Sequence, residues 1–313
     1  MALKLGSSTV GSLYLGSNKV SEMYLGSHKV YSSGAPALAP KSMRFDFKYD
    51  HWNPVEELPE VSGMSWTHVS GDVYDFHADA TNWTYNGQNS ASIFDHYSYY
   101  NPSIGYTVYY MTQHQFDVLD MDLTGVTSVA YLFQGARQVQ TIFSIRNTSS
   151  LTDTSSMFYH ASRIQITSVP LFDTSSVTNM SRMFQSCTKL ASVPLFDTSS
   201  CTNISYMFSS CSSLTSVPLF DTSSCTTMSN MLNGCSKITA LPLFDTSSCT
   251  NMDQLAYGCK KVTTGALALY QQASTQATGV QKHQNTFTNC GAGTTTGAAE
   301  LAQIPSSWGG TGA

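Results

Sequence analysis

The residues best able to do chemistry in this chain are eight cysteines and a series of regularly placed aspartates. Seven cysteines, at 187, 201, 211, 225, 235, 249 and 259, are spaced alternately by 14 and 10 residues, and Cys290 follows. No Cys-x-x-Cys pair or Cys/His cluster occurs, so a tetrahedral zinc site is not expected. Equivalent cysteines such as Cys187 and Cys211 could stack near disulfide distance. In a reducing cytosol the expected form is instead a ladder of small buried thiols. Asp173, Asp197, Asp221 and Asp245 recur every 24 residues. Calcium could bridge such carboxylates. Each, however, opens an Asp-Thr-Ser-Ser segment, where the side chain captures backbone N–H groups, and a turn-forming role explains it without a metal. Asp72, Asp75 and Asp79 could supply a carboxylate pair for glycan hydrolysis, but they lack an aromatic-flanked arrangement. The eight histidines are scattered, and the glycines at 291–297 sit among threonines rather than in a phosphate loop. The expectation is no enzyme, no metal and no cofactor.

The spacing of these residues belongs to a repeat. Leu-Phe-Asp-Thr-Ser-Ser begins at Leu171, Leu195, Leu219 and Leu243, a period of 24 residues. A period of this length marks a solenoid, in which each unit buries its apolar face only against its neighbours. The run Leu190-x-x-Val193-x-Leu195-x-x-Thr198 fits a leucine-rich template with Thr in place of Asn. Alternation predicts a short strand over 192–196 with Val193 and Leu195 inward. Met180, Met183, Phe184 and Cys187 follow at helical spacing and predict a helix of about two turns, capped by Thr178 or Asn179. The expected coil is strand, polar turn, short helix, return.

On that pattern the chain resembles the BspA-like leucine-rich repeat. The resemblance is carried by Phe172-Asp173-Thr174-Ser175-Ser176-Val177-Thr178-Asn179-Met180, Met183-Phe184, Cys187 and Leu190 and by their copies. Cysteine at 201, 225 and 249 departs from the valine seen at Val177. The resemblance implies a surface-exposed interaction or adhesion module, of the kind found in bacteria and on phage particles.

Candidate binding residues follow from the strand. Pro170, Pro194, Pro218 and Pro242, with Phe172, Phe196, Phe220 and Phe244, should point away from Val193 and Leu195 and form two parallel stripes. Exposed, the phenylalanines would make a binding surface. Curled in at the turn, they would make a buried spine, which the burial habit of Phe favours. The prolines also shorten the strand, because proline donates nothing to a ladder.

Residues 3–31 carry a smaller repeat of period ten, with Leu5, Leu15 and Leu25 in register and Tyr14 and Tyr24 likewise. Short strands between Gly-Ser turns are expected, too small to bury a core alone. This segment is similar to N-terminal pieces of phage tail, fibre and appendage proteins. The resemblance implies an anchor to other virion proteins through Leu5, Tyr14, Leu15, Tyr24 and Leu25; the need of so small a piece for partners suggests a homo-oligomer, with a trimer one form. A hairpin packed on the next domain is the alternative.

The expected architecture is therefore an α/β solenoid preceded by a small β-rich domain and an N-terminal β-hairpin repeat. The anchor covers 1–33, an Ala-Pro linker 34–41, and an aromatic β-rich unit 42–122. In that unit Trp52, Trp66 and Trp83 are read as core rather than as sugar-stacking surface. About six coils fill 123–266, and a cap fills 267–313, with a helix over 266–276 that turns Leu267 and Tyr270 inward. Charged residues make up 11%, against roughly 25% in an average protein. The net charge of −5 and the lack of a basic patch argue against nucleic acid. No apolar run approaches the length of a membrane span. No secretory signal is evident at the N-terminus, which weighs against an exported protein. The combined expectation is a phage virion appendage (tail or baseplate fibre, or head-decoration fibre) at the virion surface. It would bind host surface glycan or protein through its repeats. The alternative is a bacterial cell-surface adhesin; a glycan-processing enzyme ranks below both.

Overall fold

The structure is a computed structural model that describes residues 13–15, 18–20, 22–25, 28–32, 42–46, 54, 64–78, 98–101, 106–109, 116–134, 139–160, 167–276 and 279–312. Near the N-terminus, β1 (Leu13–Leu15) pairs antiparallel with β2 (Asn18–Val20), and β3 (Glu22–Leu25) with β4 (His28–Ser32). Leu15 opposes Asn18 and Leu25 opposes His28.

Five further strands form one sheet: β5 (Ser42–Asp46), β6 (Met64–Ser70), β7 (Val73–Ala78), β10 (Phe116–Asp122) and β11 (Val139–Ile142), in the order β11-β10-β5-β7-β6. Between them in sequence, β8 (Ser98–Asn101) and β9 (Tyr106–Tyr109) form a separate hairpin. All neighbours in the five-stranded sheet are antiparallel except β10 and β11, which run parallel. Trp66 is half-buried between Phe45 and Phe76, with ring centroids 5.3 and 4.8 Å away, so it is a packing residue; Trp52 and Trp83 lie outside the described residues.

The parallel pair leads directly into a stack of coils. Single parallel bridges link Asp122 to Arg146, then Ser128, Asp153, Asn179, Asn203, Thr227, Asn251 and Lys282 in succession. At the first junction Arg146 donates to both Asp120 and Asp122, at 2.9 and 2.7 Å. Burial pulls the Asp122 carboxyl upward. Hydrogen bonds from Thr124 and Asn147 and the charge of Arg146 outweigh that and hold it below the usual carboxylate range.

The stretches expected to be helical are not helices. Arg182 and Ser186 have φ of 58° and 65°, and the pattern recurs at Tyr206/Ser210, Asn230/Gly234 and Gln254/Gly258. A left-handed residue every fourth position breaks an α-helix and makes successive tight turns instead. Met183, Gln185 and Cys187 donate their N–H groups three residues back, to Met180, Arg182 and Phe184. Their neighbours Met180, Arg182, Phe184 and Ser186 donate to Asn203, Ser205, Met207 and Ser209 of the next coil, at 2.7–2.9 Å. Half the N–H groups thus close turns and half bind the stack. The buried set is still Met180, Met183, Phe184 and Cys187. The i, i+3, i+4, i+7 pattern suits a four-residue turn as well as a helix, which is why periodicity alone mistook one for the other.

Each buried position forms a row through the stack. Phe133, Phe158, Phe184 and Phe208 lie nearly parallel, with centroids 5.4, 5.4 and 5.7 Å apart. Offset stacking of this kind adds to the burial of each ring. A seventh rung, missed in the sequence, follows: Met252, Gln254, Ala256 and Gly258 donate to Lys282, Gln284, Thr286 and Thr288. Its Phe287 and Cys290 keep the spacing of Phe184 and Cys187. The helix α1 (Ala266–Ser274), inserted before it, destroys the 24-residue period. In α1 the fully buried side chains are Ala266, Leu269 and Ala273, whereas Leu267 and Tyr270 are half-buried against the core. Gly265 enters α1 at φ 99°, and a Cβ there would run into the Leu241 carbonyl. The helix α2 (Thr295–Leu301) and Trp308, over Phe287, cover the last rung. One continuous apolar core runs from Phe45 to Trp308. No described helix is long and apolar enough to cross a membrane.

Candidate binding face

The segment Val-Pro-Leu-Phe-Asp-Thr-Ser-Ser decides what each coil shows to solvent. Proline has no N–H to give a ladder. Its carbonyl accepts from the N–H two residues on: Phe196 donates to Pro194, Phe220 to Pro218 and Phe244 to Pro242, at 3.0–3.1 Å. Such a three-residue turn puts the intervening leucine at its apex and swings the next side chain inward. Phe172, Phe196, Phe220 and Phe244 are accordingly 0–5% exposed. Leu171, Leu195, Leu219 and Leu243 are 53–63% exposed.

The strand expectation therefore fails at 192–196. Leu195 points out, not in, and the phenylalanines weighed as an exposed stripe are the buried spine. Pro170, Pro194, Pro218 and Pro242 are half-buried beside the leucines. The exposed apolar row that sequence reasoning missed is the leucines. The one available signal was proline two residues before phenylalanine, which breaks strand alternation.

Beyond Phe the chain turns through the aspartate. Asp173 Oδ1 accepts from the Ser175 N–H at 3.0 Å and hydroxyl at 2.7 Å. Asp197 and Asp221 do the same with Ser199 and Ser223, and Asp245 accepts from the Ser247 N–H. The serine hydroxyls hold the Asp173 and Asp221 carboxyls below their usual range. These carboxylates are exposed, in a row two residues from the leucines. The intervening threonines are buried, and Thr174, Thr198 and Thr222 donate to the carbonyls of Asp197, Asp221 and Asp245 in the next coil at 2.7–2.8 Å. Within 167–176, 191–200, 215–224 and 239–248 the four aspartates are the only charged residues. The face is thus an apolar ridge beside an anionic ridge.

The cysteines have a different role. All eight are buried thiols. Cys187, Cys211, Cys235 and Cys259 donate to the carbonyls of Phe158, Phe184, Phe208 and Leu232 at 3.0–3.2 Å. Burial pushes the Cys211 and Cys259 thiols up to about 12, so they stay protonated as donors. Cys211, Cys235 and Cys259, all raised by burial, thus tie neighbouring coils together and are poor nucleophiles.

Of the other candidates, Asp72 sits in the turn between β6 and β7, Asp75 lies on β7, and Asp79 is outside the described residues. Among the anchor candidates, Tyr14 and Leu15 fall on β1 opposite Lys19 and Asn18, and Tyr24 and Leu25 on β3 opposite Lys29 and His28. Leu5 lies outside the described residues.

A family described as "Mycoplasma protein of unknown function, DUF285" matches residues 103–217 and 191–294. Together the two spans take in more than half of the chain. The chain belongs to this family. The DUF285 match begins before the clean repeats and includes the seventh rung, as the continuous core does. No curated protein and no solved structure matches.

Proposed function

We propose that this chain is an interaction protein, not an enzyme, and that its stack of coils is a leucine-rich-type solenoid. The carrying observation is the row of four bare leucines, aligned beside a buried row of phenylalanines. Scattered single leucines on a surface need no explanation, but an aligned row is the kind of patch that marks an interaction site. The setting that best fits the N-terminal ten-residue repeats is a phage virion appendage: a tail or baseplate fibre, or a head-decoration fibre. The hairpins of 13–32 would anchor it, as a homo-oligomer, to other virion proteins. The coils would face outward for host attachment.

Deletion of 1–31 tests the anchor. The shortened protein should fold and stay soluble, yet fail to join particles and lose its oligomeric mass in light scattering. Unfolding on deletion would refute the anchor. The attachment face is tested by the double substitution Leu195→Ser/Leu219→Ser, which should abolish binding to host cells without lowering the melting temperature. Undiminished binding would mean that the leucine row takes no part in attachment. The bacterial surface adhesin remains a second reading, favoured by the family description, which names a bacterium. It predicts a monomer that is not incorporated into virions.

A further inference from the structure

The leucine and aspartate rows together narrow the kind of partner. Both keep the period of the coils, so both present one group per stacked rung; in the adjacent phenylalanine row the rings of Phe172 and Phe196 lie 5.3 Å apart. At that spacing four leucines span roughly 16 Å over three intervals. An α-helix presents side chains on one face every turn, about 5.4 Å apart, or about 16 Å over three turns. A strand presents same-face side chains about 6.7 Å apart, or about 20 Å over three steps, and falls out of register with the third leucine. A helix is therefore the element that fits the ridge.

Charge selects among helices. The strip carries four carboxylates and no lysine or arginine within its four coil segments. A second copy seated leucine to leucine would put two anionic rows and no basic row from these segments into one seam, which the net charge of −5 worsens. A neutral glycan finds no exposed ring on this strip, because Phe172, Phe196, Phe220 and Phe244 are buried. An anionic surface is repelled.

We infer that the leucine–aspartate face docks a cationic amphipathic helix of a partner protein, its apolar side on the leucines and its basic edge on the aspartates. The inference rests on the reading of this face as the attachment surface, and names the partner class for it.

Two synthetic helices of about 18 residues test it. Both carry leucines at i, i+4, i+7 and i+11. One has lysines along the flank, and its twin has glutamates there. Binding to the full chain is read by fluorescence anisotropy at about 0.05 and 0.5 M salt. The lysine helix should bind at least about tenfold more tightly than its twin, with the preference shrinking at high salt. Asp197→Asn/Asp221→Asn should erase most of that preference. Leu195→Ser/Leu219→Ser should weaken the lysine helix by about tenfold or more. Leu195 and Leu219 are exposed and asparagine keeps the Oδ1 acceptor of each turn, so melting temperatures should change little, and circular dichroism checks this. Equal binding of the twins, or lysine-helix binding indifferent to the leucines, overturns the inference. If the helices fail while the leucine double variant has lost host-cell binding, the partner class is wrong and the face stands. Glycan-array binding that is lost in the same variant likewise overturns the helix and keeps the face. If neither helix binding nor host binding depends on the leucines, the attachment face falls as well.

Discussion

Leu195 and Phe196 are adjacent, equally apolar and equally repeated, yet one row is bare and the other is the core. Phe196 is 1% exposed, packed 5.3 Å from Phe172 and 6.2 Å from Phe184 by ring centroid. Leu195 is 60% exposed. The difference is made by backbone geometry, since the hydrogen bond from the Phe196 N–H to the Pro194 carbonyl places Leu195 at the apex of a turn. A repeat therefore preserves two kinds of position in one register: those that hold coils together and those that stay in water. Recurrence does not distinguish them; the local turn does.

The largest expected break in this comparison is Phe196→Ala. It removes a fully buried ring from a stack that cannot easily collapse, at a cost of about 3–5 kcal/mol. Chemical denaturation against the parent should show it, and a loss below about 1 kcal/mol would mean that the inward row is not core. Next is Thr198→Val, which keeps shape but deletes the 2.7 Å bond to the Asp221 carbonyl. Losing a hydrogen bond at this part-buried site costs about 0.5–1.5 kcal/mol. Thermal melts of the variant should fall, whereas Ser199→Ala, in the exposed aspartate turn, should move them little.

How far these rows could be read beforehand depended on what each pattern constrains. The period, the turn role of Asp173 and its copies, and the buried set Met180, Met183, Phe184 and Cys187 were legible because burial and turn chemistry act locally. The backbone carrying that set was not. Whether the N–H of Arg182 closes a helix or reaches Ser205 in the next coil depends on a neighbour 23 residues away in sequence. The seventh rung at 283–290 was hidden by the insertion of α1, although Phe287 and Cys290 kept its signature. The leucine row was misread because alternation was assumed to run through a proline.

The third test concerns the left-handed positions that replace the helix. Gly234 adopts φ 75° where the coil before it has Ser210 at φ 64°. A Cβ on Gly234 would meet Ser210 Cα at 3.7 Å, an ordinary contact. Gly234→Ser therefore reports on backbone conformation rather than on packing. It should cost about 1 kcal/mol and Ser210→Gly should gain a similar amount, each the left-handed strain of a side chain less the unfolded-chain freedom of glycine. If neither change moves stability, the turns are not left-handed at these residues.

The smallest effect is the most informative. Leu195→Ser takes an apolar side chain off a position already in water, so the change in buried area on folding is slight. Surface substitutions of this kind stay within about 0.5 kcal/mol. The contrast with Phe196→Ala, one residue away, should approach tenfold in free energy. A loss of about 1 kcal/mol or more would show that Leu195 packs against something in solution, either a second copy or another part of the chain. Concentration separates these: a loss that vanishes on dilution belongs to self-association, and one that persists belongs to the fold. Invariant stability together with lost attachment would mean that the row is kept for a partner alone.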